Sequence, residues 1–170
     1  SAVRTYVLRY ADGPRDAESL FFDPIDQLLY VISKRELEVG LYGTVLPEQP
    51  HDTLVLRRMA SIPMTFITSA TVRPDGAELL VKNLLNVYYW KRLPGETLPA
   101  MVARPALRLP YRPEPQGEAI AFARRDHSLV TERGNADGYG NEGSYPGYYT
   151  LSEAPFGLPA ILYFYPRKHQ

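Results

Sequence analysis

The chain has 170 residues, which is enough for one domain with a sizeable apolar core. Its 19 Lys and Arg residues balance its 19 Asp and Glu residues, and a net charge of zero argues against a nucleic-acid or anionic-membrane binder that relies on bulk charge. It has no cysteine, which excludes a disulfide, a Cys nucleophile and a zinc-ribbon or iron–sulfur site.

Short strand-like runs separated by Pro or Gly fill the chain, and helical periodicity is weak almost everywhere. The predicted strands, in chain order, are residues 5–10, 19–23, 27–33, 40–45, 53–59, 70–73, 78–82, 87–92, 100–103, 119–123, 128–132, 147–151 and 161–165. The sequence therefore predicts an all-β protein with one leading strand and three groups of four strands.

A sequence phrase returns about every 50 residues. Three pairs of segments share it: 18–24 (ESLFFDP) with 28–31 (LLYV), 68–74 (TSATVRP) with 78–81 (ELLV), and 118–124 (EAIAFAR) with 128–131 (SLVT). A fixed period of this size is typical of repeat architectures, in which each unit buries its apolar faces against its neighbours.

Four short antiparallel strands in each 50-residue unit predict the blades of a β-propeller. The predicted blades are residues 16–65, 66–114 and 115–165, the last with an inserted loop at 133–147, and residues 1–15 end a preceding blade. Three blades do not close a ring, because propellers usually have about 4 to 8. We therefore expect a partial propeller, either one half of a longer protein or a chain that closes the ring as a dimer. The alternative fold is an unrelated β-sandwich.

In a propeller, the first strand of each blade lines the central channel. The start of that strand opens on the same face as the loop between the second and third strands, and propellers generally bind ligands on this face. The polar residues predicted to converge there include Asp16, Glu18, Lys34, Arg35, Gln116, Glu118 and Glu132. The inserted loop is assigned to the same face, where Tyr139 and Tyr145 are candidates to line a sugar or peptide site. Alternatively, these tyrosines pack on the edge of the blade.

Glu18 and Glu118 occupy equivalent positions in the repeat. Carboxylates gathered around an axis repel one another unless they are protonated or bridged by a cation, and calcium prefers oxygen ligands. The two glutamates are therefore a candidate calcium site, with Asp16 and Gln116 as further oxygen ligands. The alternative is structural: each carboxylate accepts backbone hydrogen bonds from a neighbouring blade or pairs with an arginine.

Residues 16–24 (DAESLFFDP), 29–35 (LYVISKR) and 116–122 (QGEAIAF) are similar to blades of the phytase-like and related six-bladed propellers. Uncharacterised secreted or periplasmic bacterial propellers also have blades of this kind. The resemblance implies that acidic residues near the channel bind calcium and that basic residues hold phosphate. It also implies a periplasmic or extracellular location.

The favoured function is a binding or interaction module that presents the channel mouth to a small molecule, a glycan or a protein. The second is a structural propeller whose tyrosine-rich edge, at residues 162–165, joins a larger assembly. The third is a calcium-dependent phosphate-ester hydrolase, in which Lys34, Arg35 and Lys82 hold the phosphate. No membrane span is expected, because no apolar stretch approaches the roughly 20 residues that cross a bilayer.

Overall fold

The structure, a computed structural model, describes residues 3–48, 53–114, 117–123, 145–152 and 160–167. These residues form twelve β-strands and one short α-helix. The predicted all-β fold is confirmed, and one of the sheets is curled into a half-barrel. The predicted strand at 128–132 lies outside the described residues.

The first sheet has five strands. They are β1 (Leu8–Tyr10), β2 (Ala17–Asp23), β3 (Leu28–Ser33), β4 (Val39–Thr44) and β5 (Leu54–Ile62). The strands β2 to β5 pair antiparallel in chain order, while β1 pairs in parallel with β5 and forms the outer edge. The central strand β3 is an uninterrupted apolar run up to its last residue, as expected for a strand covered on both faces.

The second sheet has four antiparallel strands in chain order. They are β6 (Ile67–Val72), β7 (Glu78–Asn83), β8 (Val87–Lys91) and β9 (Leu107–Leu109). The prediction of a strand at 100–103 is wrong, because the helix α1 (Leu98–Ala103) covers these residues and β9 takes the fourth position in the sheet. The Thr97 side chain caps the helix by accepting a hydrogen bond from the Ala100 N–H, and a proline lies in its first turn.

The third sheet has three described strands, also antiparallel in chain order. They are β10 (Gly117–Phe122), β11 (Tyr148–Ser152) and β12 (Ile161–Tyr165). The second strand of this sheet is therefore β11, which pairs directly with β10 along its length.

The second sheet lies between the other two, because its alternating side chains enter two different cores. The core shared with the first sheet contains Phe21, Ile32, Leu41, Leu79, Val81 and Trp90, together with Leu98, Met101 and Val102 of α1. The core shared with the third sheet contains Leu80, Val87, Tyr89, Leu109, Ile120 and Tyr148. The strand β6 lies beside both β2 and β10.

A buried ion-pair network joins the first two sheets. The Arg92 guanidinium lies 2.7 Å from the Asp23 carboxylate and 3.2 Å from the Asp26 carboxylate. Asp26 also accepts hydrogen bonds from the Tyr30 hydroxyl at 2.8 Å and from the Leu98 N–H at 2.7 Å. One arginine thus connects the β2–β3 turn of the first sheet to the end of β8 and the start of α1.

Candidate interaction surfaces

The strands β2, β6 and β10, which we call the first strands, start at the same end of the molecule. We call this end the leading end. The Ile67 N–H donates a hydrogen bond to the Lys34 carbonyl at 3.3 Å, which joins the first and second sheets. The Thr68 hydroxyl donates to the Gly117 carbonyl at 3.1 Å, which joins the second and third sheets.

A β-bulge interrupts each first strand at its second residue. The bulged residues are Glu18, Thr68 and Glu118, which follow one another at intervals of 50 positions. Glu18 and Glu118 are exposed, whereas Thr68 is buried. A bulge redirects a side chain and breaks regular pairing. Each of the three first strands therefore has a polar residue at a bulge near the leading end.

Four of the predicted site residues lie together at the leading end as two ion pairs. Lys34 donates to the Glu18 carboxylate, and Arg35 donates to the Asp16 carboxylate. The hydrogen bond from Arg35 holds the pKa of Asp16 below its usual range. The Asp16–Arg35 pair is exposed, so water screens the attraction between the two charges.

The predicted calcium ligands do not form a recognisable metal site in the part of the chain that the structure describes. No group of three or more His, Cys, Asp or Glu side chains there is arranged to hold a metal ion. Glu18 pairs with the ammonium group of Lys34, which gives its charge a partner from its own sheet. The remaining candidates Gln116, Glu132 and Tyr139 lie outside the described residues.

Lys82 is fully buried between the second and third sheets. Its ammonium group donates to the Gly117 carbonyl and lies 4.9 Å from the centre of the Tyr111 ring. Burial lowers the pKa of Lys82, while the nearby carboxylates of Glu114 and Glu118 act in the opposite direction. The predicted phosphate-holding role needs an exposed ammonium group, whereas packing between the sheets closes the Lys82 side chain off from solvent.

Glu114 is a buried polar residue that no sequence pattern indicated. It precedes the third sheet in a proline-rich segment, and its Oε1 atom accepts a hydrogen bond from the Thr150 hydroxyl. Its Oε2 atom is buried without a hydrogen-bond partner. Burial and the Glu114 charge together raise the pKa of Tyr111. Lys82, Tyr111 and Glu114 thus form a closed polar cluster between sheets.

Replacing Lys82 by methionine is expected to remove a pH-dependent part of the stability. Because the pKa of Lys82 is lowered in the folded chain, the unfolded chain binds the extra proton at pH values between that lowered pKa and the ordinary 10.5. The free energy of unfolding contributed at this position therefore rises with pH through that window. In urea denaturation from pH 7 to pH 10, the free energy of unfolding of the wild type minus that of K82M should increase with pH.

Thr68→Val is the matched control for this measurement. It removes the other hydrogen bond to the Gly117 carbonyl but no titratable group. Its difference from wild type should stay constant across the same pH range. A constant difference for K82M as well would contradict the proposed charge burial.

Tyr145 lies at the opposite end of the third sheet from Glu118. Phe122, the last residue of β10, pairs with Tyr148, the first residue of β11. Tyr145 therefore lies near the end of β10, whereas Glu118 lies near its start. Tyr145 is half-buried and packs in the core between the second and third sheets. Of the predicted inserted loop at 133–147, the structure describes residues 145–147, and these lie at the end of the third sheet far from Glu118.

The third sheet has an outer face, turned away from the second sheet, that is apolar and uncovered by any described residue. Its members on the three strands are Ala119, Ala121, Tyr149, Leu151, Leu162 and Phe164. Leu162 is 64% exposed and Phe164 is 54% exposed. The Phe164 ring packs beside Tyr149 at 4.9 Å between ring centres.

The three sheets can be compared at one register position. The first residue after the bulge pairs with a residue of the second strand, which in turn pairs with a residue of the third strand, and that third-strand residue is the one compared. This residue is Leu41 in the first sheet, Val87 in the second and Leu162 in the third. Leu41 and Val87 are fully buried, because the next sheet covers them. Only in the third sheet is this position open in the described structure.

The first sheet also has an outer face, on the side away from the second sheet. Near the edge strand β1 this face is covered, because the Tyr10 ring of β1 packs edge-on against the Tyr42 ring, with 4.8 Å between the ring centres. Along β2 it is open, with Leu20 60% exposed and Phe22 43% exposed. The outer face of the first sheet is therefore exposed as an apolar surface along β2 only, whereas the outer face of the third sheet is exposed on all three of its described strands.

Comparisons with family models, with curated proteins and with solved structures found no match. In the described segments, no helix has both the length and the apolar character needed to cross a membrane.

Proposed function

We propose that this chain is three blades of a β-propeller and acts as a protein-interaction module, with the outer faces of the first and third sheets as its contact surfaces. The observation that carries the proposal is Leu162, which is 64% exposed at the register position where Leu41 and Val87 are fully buried. A large apolar surface of this kind is typical of a site of contact with another protein.

The propeller assignment is supported by the order and placement of the strands. From β2 onward, each sheet pairs its strands antiparallel in chain order, and the three first strands lie side by side. Each first strand carries a bulge at its second residue, with the bulged residues at positions 18, 68 and 118. These features are expected of consecutive blades around a common axis and support the proposal.

An interaction module is favoured over a phosphate-ester hydrolase by the state of the basic residues. A phosphate-transfer site needs several cations free to stabilise the charge of the transition state. Lys34 and Arg35 are each paired with a carboxylate, and Lys82 is fully buried. In contrast, the rows of the third sheet that contain Leu162 and Phe164 have no charged residue among their described members. In the first sheet, the row that contains Leu20 is apolar as far as Tyr42 and ends at Arg58 of β5.

Sedimentation velocity over a range of protein concentrations tests this proposal. We expect the wild-type chain to associate, and the double variant Leu162→Lys, Phe164→Lys to lose association because two charges would have to be buried in the contact. Leu37→Lys is the matched control, since Leu37 is 88% exposed in the loop between β3 and β4 and lies on neither outer face. A wild-type chain that is monomeric at every concentration contradicts the proposal.

A further inference from the structure

We infer that the partner of this module is a second copy of the same chain, and that two copies close a ring of six sheets. In this ring the outer face of the third sheet of each copy covers the outer face of the first sheet of the other. The inference rests on the proposed function, because it names the partner of the same two surfaces.

The first step concerns the forward face of each sheet, which is the face turned toward the next sheet along the chain. It carries the third-strand residue beside the bulge, and on the first two sheets Leu41 and Val87 are buried there against the following sheet. On the third sheet the forward face is the outer face, with Leu162 in the same place. The third sheet therefore presents a forward face that no described residue covers.

The second step concerns the rear face, which is turned toward the preceding sheet. It carries the second residue after the bulge, which is Ala70 on the second sheet and Ile120 on the third. Both residues pack into the core shared with the preceding sheet. On the first sheet the same residue is Leu20, which is exposed on the outer face. The first sheet therefore presents a rear face that is open along β2 and covered at Val31 and Tyr42.

At both interfaces within the chain, the forward face of one sheet packs against the rear face of the next. A second copy is the partner that carries both kinds of face with the same register and the same bulges. Contact of forward face with rear face is head-to-tail, and such contacts build a closed ring when the rotation between subunits closes. Two chains supply six sheets, which lies within the range of about 4 to 8 for propellers.

The charge of the chain agrees with self-association. The formal net charge is zero, so two copies do not repel one another through their overall charge. In the closed ring each chain uses both of its free faces once. Both exposed apolar faces are then covered, and neither remains open for further growth.

Mixing two variants tests this arrangement. Leu162→Asp damages the forward outer face, and Leu20→Lys damages the rear outer face. Each variant alone carries a lesion in both interfaces of a ring, so we expect it to sediment as one chain at concentrations where the wild type sediments as two. An equimolar mixture should recover the two-chain species, because one of its interfaces contains only wild-type faces and the other sets Asp against Lys.

Several outcomes overturn the inference and separate it from the proposed function. Species that grow beyond two chains with concentration, or a Leu20→Lys variant that still forms dimers alone, contradict the head-to-tail ring but leave an interaction module. No association of the wild type contradicts both, and other blades of a longer polypeptide then become the occupant to test. Thermal melting followed by circular dichroism checks that each variant is folded, and Leu162→Ser replaces Leu162→Asp if the aspartate prevents folding.

Discussion

Replacing Arg92 by methionine should lower the free energy of unfolding by about 3–5 kcal/mol, the cost typical of breaking a buried ion pair from one side. Arg92 is almost fully buried and bridges Asp23 and Asp26, of which Asp23 is completely buried. Methionine fills much of the same volume but has no donor for the two carboxylates. Their charges would then be buried without a cation, between the first and second sheets. Urea denaturation of the two proteins measures the loss.

A matched control distinguishes this effect from the general loss of an arginine. Arg35→Met removes an exposed guanidinium that is paired with Asp16, and its effect should be much smaller because water replaces the partner. Adding Asp23→Asn to Arg92→Met should recover part of the lost stability, since one uncompensated charge is removed. An Arg92→Met protein that is as stable as Arg35→Met, or no coupling in the double-mutant cycle, contradicts the assigned role of this network.

The positions of the strands were largely predictable from local pattern. The sequence predicts strands at 27–33, 78–82 and 161–165, and the structure has them at Leu28–Ser33, Glu78–Asn83 and Ile161–Tyr165. Short apolar runs between turn residues are a local signal, so they can be found without knowing the partner strand.

The features that the sequence did not indicate are a short helix that depends on a single cap and the pairing of β1, itself predicted as a strand at 5–10, with a distant strand. The helix α1 has six residues, too few to show a helical period, and its start depends on the Thr97 cap. The strand β1 pairs in parallel with β5, more than 40 positions further along the chain. Nothing in residues 8–10 identifies that partner, because the pairing is a property of the folded sheet.

At the leading end, the sequence predicts which residues lie together but not which groups their side chains pair with. Asp16, Glu18, Lys34 and Arg35 are predicted to lie together, and the structure brings them together as two ion pairs. The sequence alone could not decide between pairing with lysine and binding of a cation, because both satisfy a carboxylate. In the structure Lys34 is the partner of Glu18 and Arg35 is the partner of Asp16.

Lys82 could have been recognised as buried from the spacing of the repeat. It stands 50 positions after Ile32, and both residues pair with the residue that follows the bulge in their own sheet. A lysine at a position where another sheet has a buried isoleucine indicates a charge inside a core. Glu114 offered no comparable signal, because it lies in an irregular segment before the third sheet.

Leu41→Ala should lower the free energy of unfolding by about 2–5 kcal/mol at any protein concentration, as expected when a buried leucine is truncated and a cavity remains. Leu41 is fully buried in the core between the first and second sheets. Leu162→Ala makes the same chemical change at the same register position of the third sheet, where the side chain is 64% exposed. In a dilute, monomeric sample its effect should lie within about 0.5 kcal/mol, as is usual for a surface substitution.

The two variants should respond differently to concentration. Association adds stability by mass action, so the wild-type chain should become harder to unfold as its concentration rises. Leu41→Ala should keep this gain, because its lesion lies inside one chain, whereas Leu162→Ala should lose it, because the leucine is needed only in the contact between chains. Urea denaturation at a low and a high concentration gives both quantities. Both variants truncate a leucine at the same register position, and the two leucines differ in exposure. If the stability of both variants depends on concentration to the same extent, the outer face of the third sheet is not a contact surface.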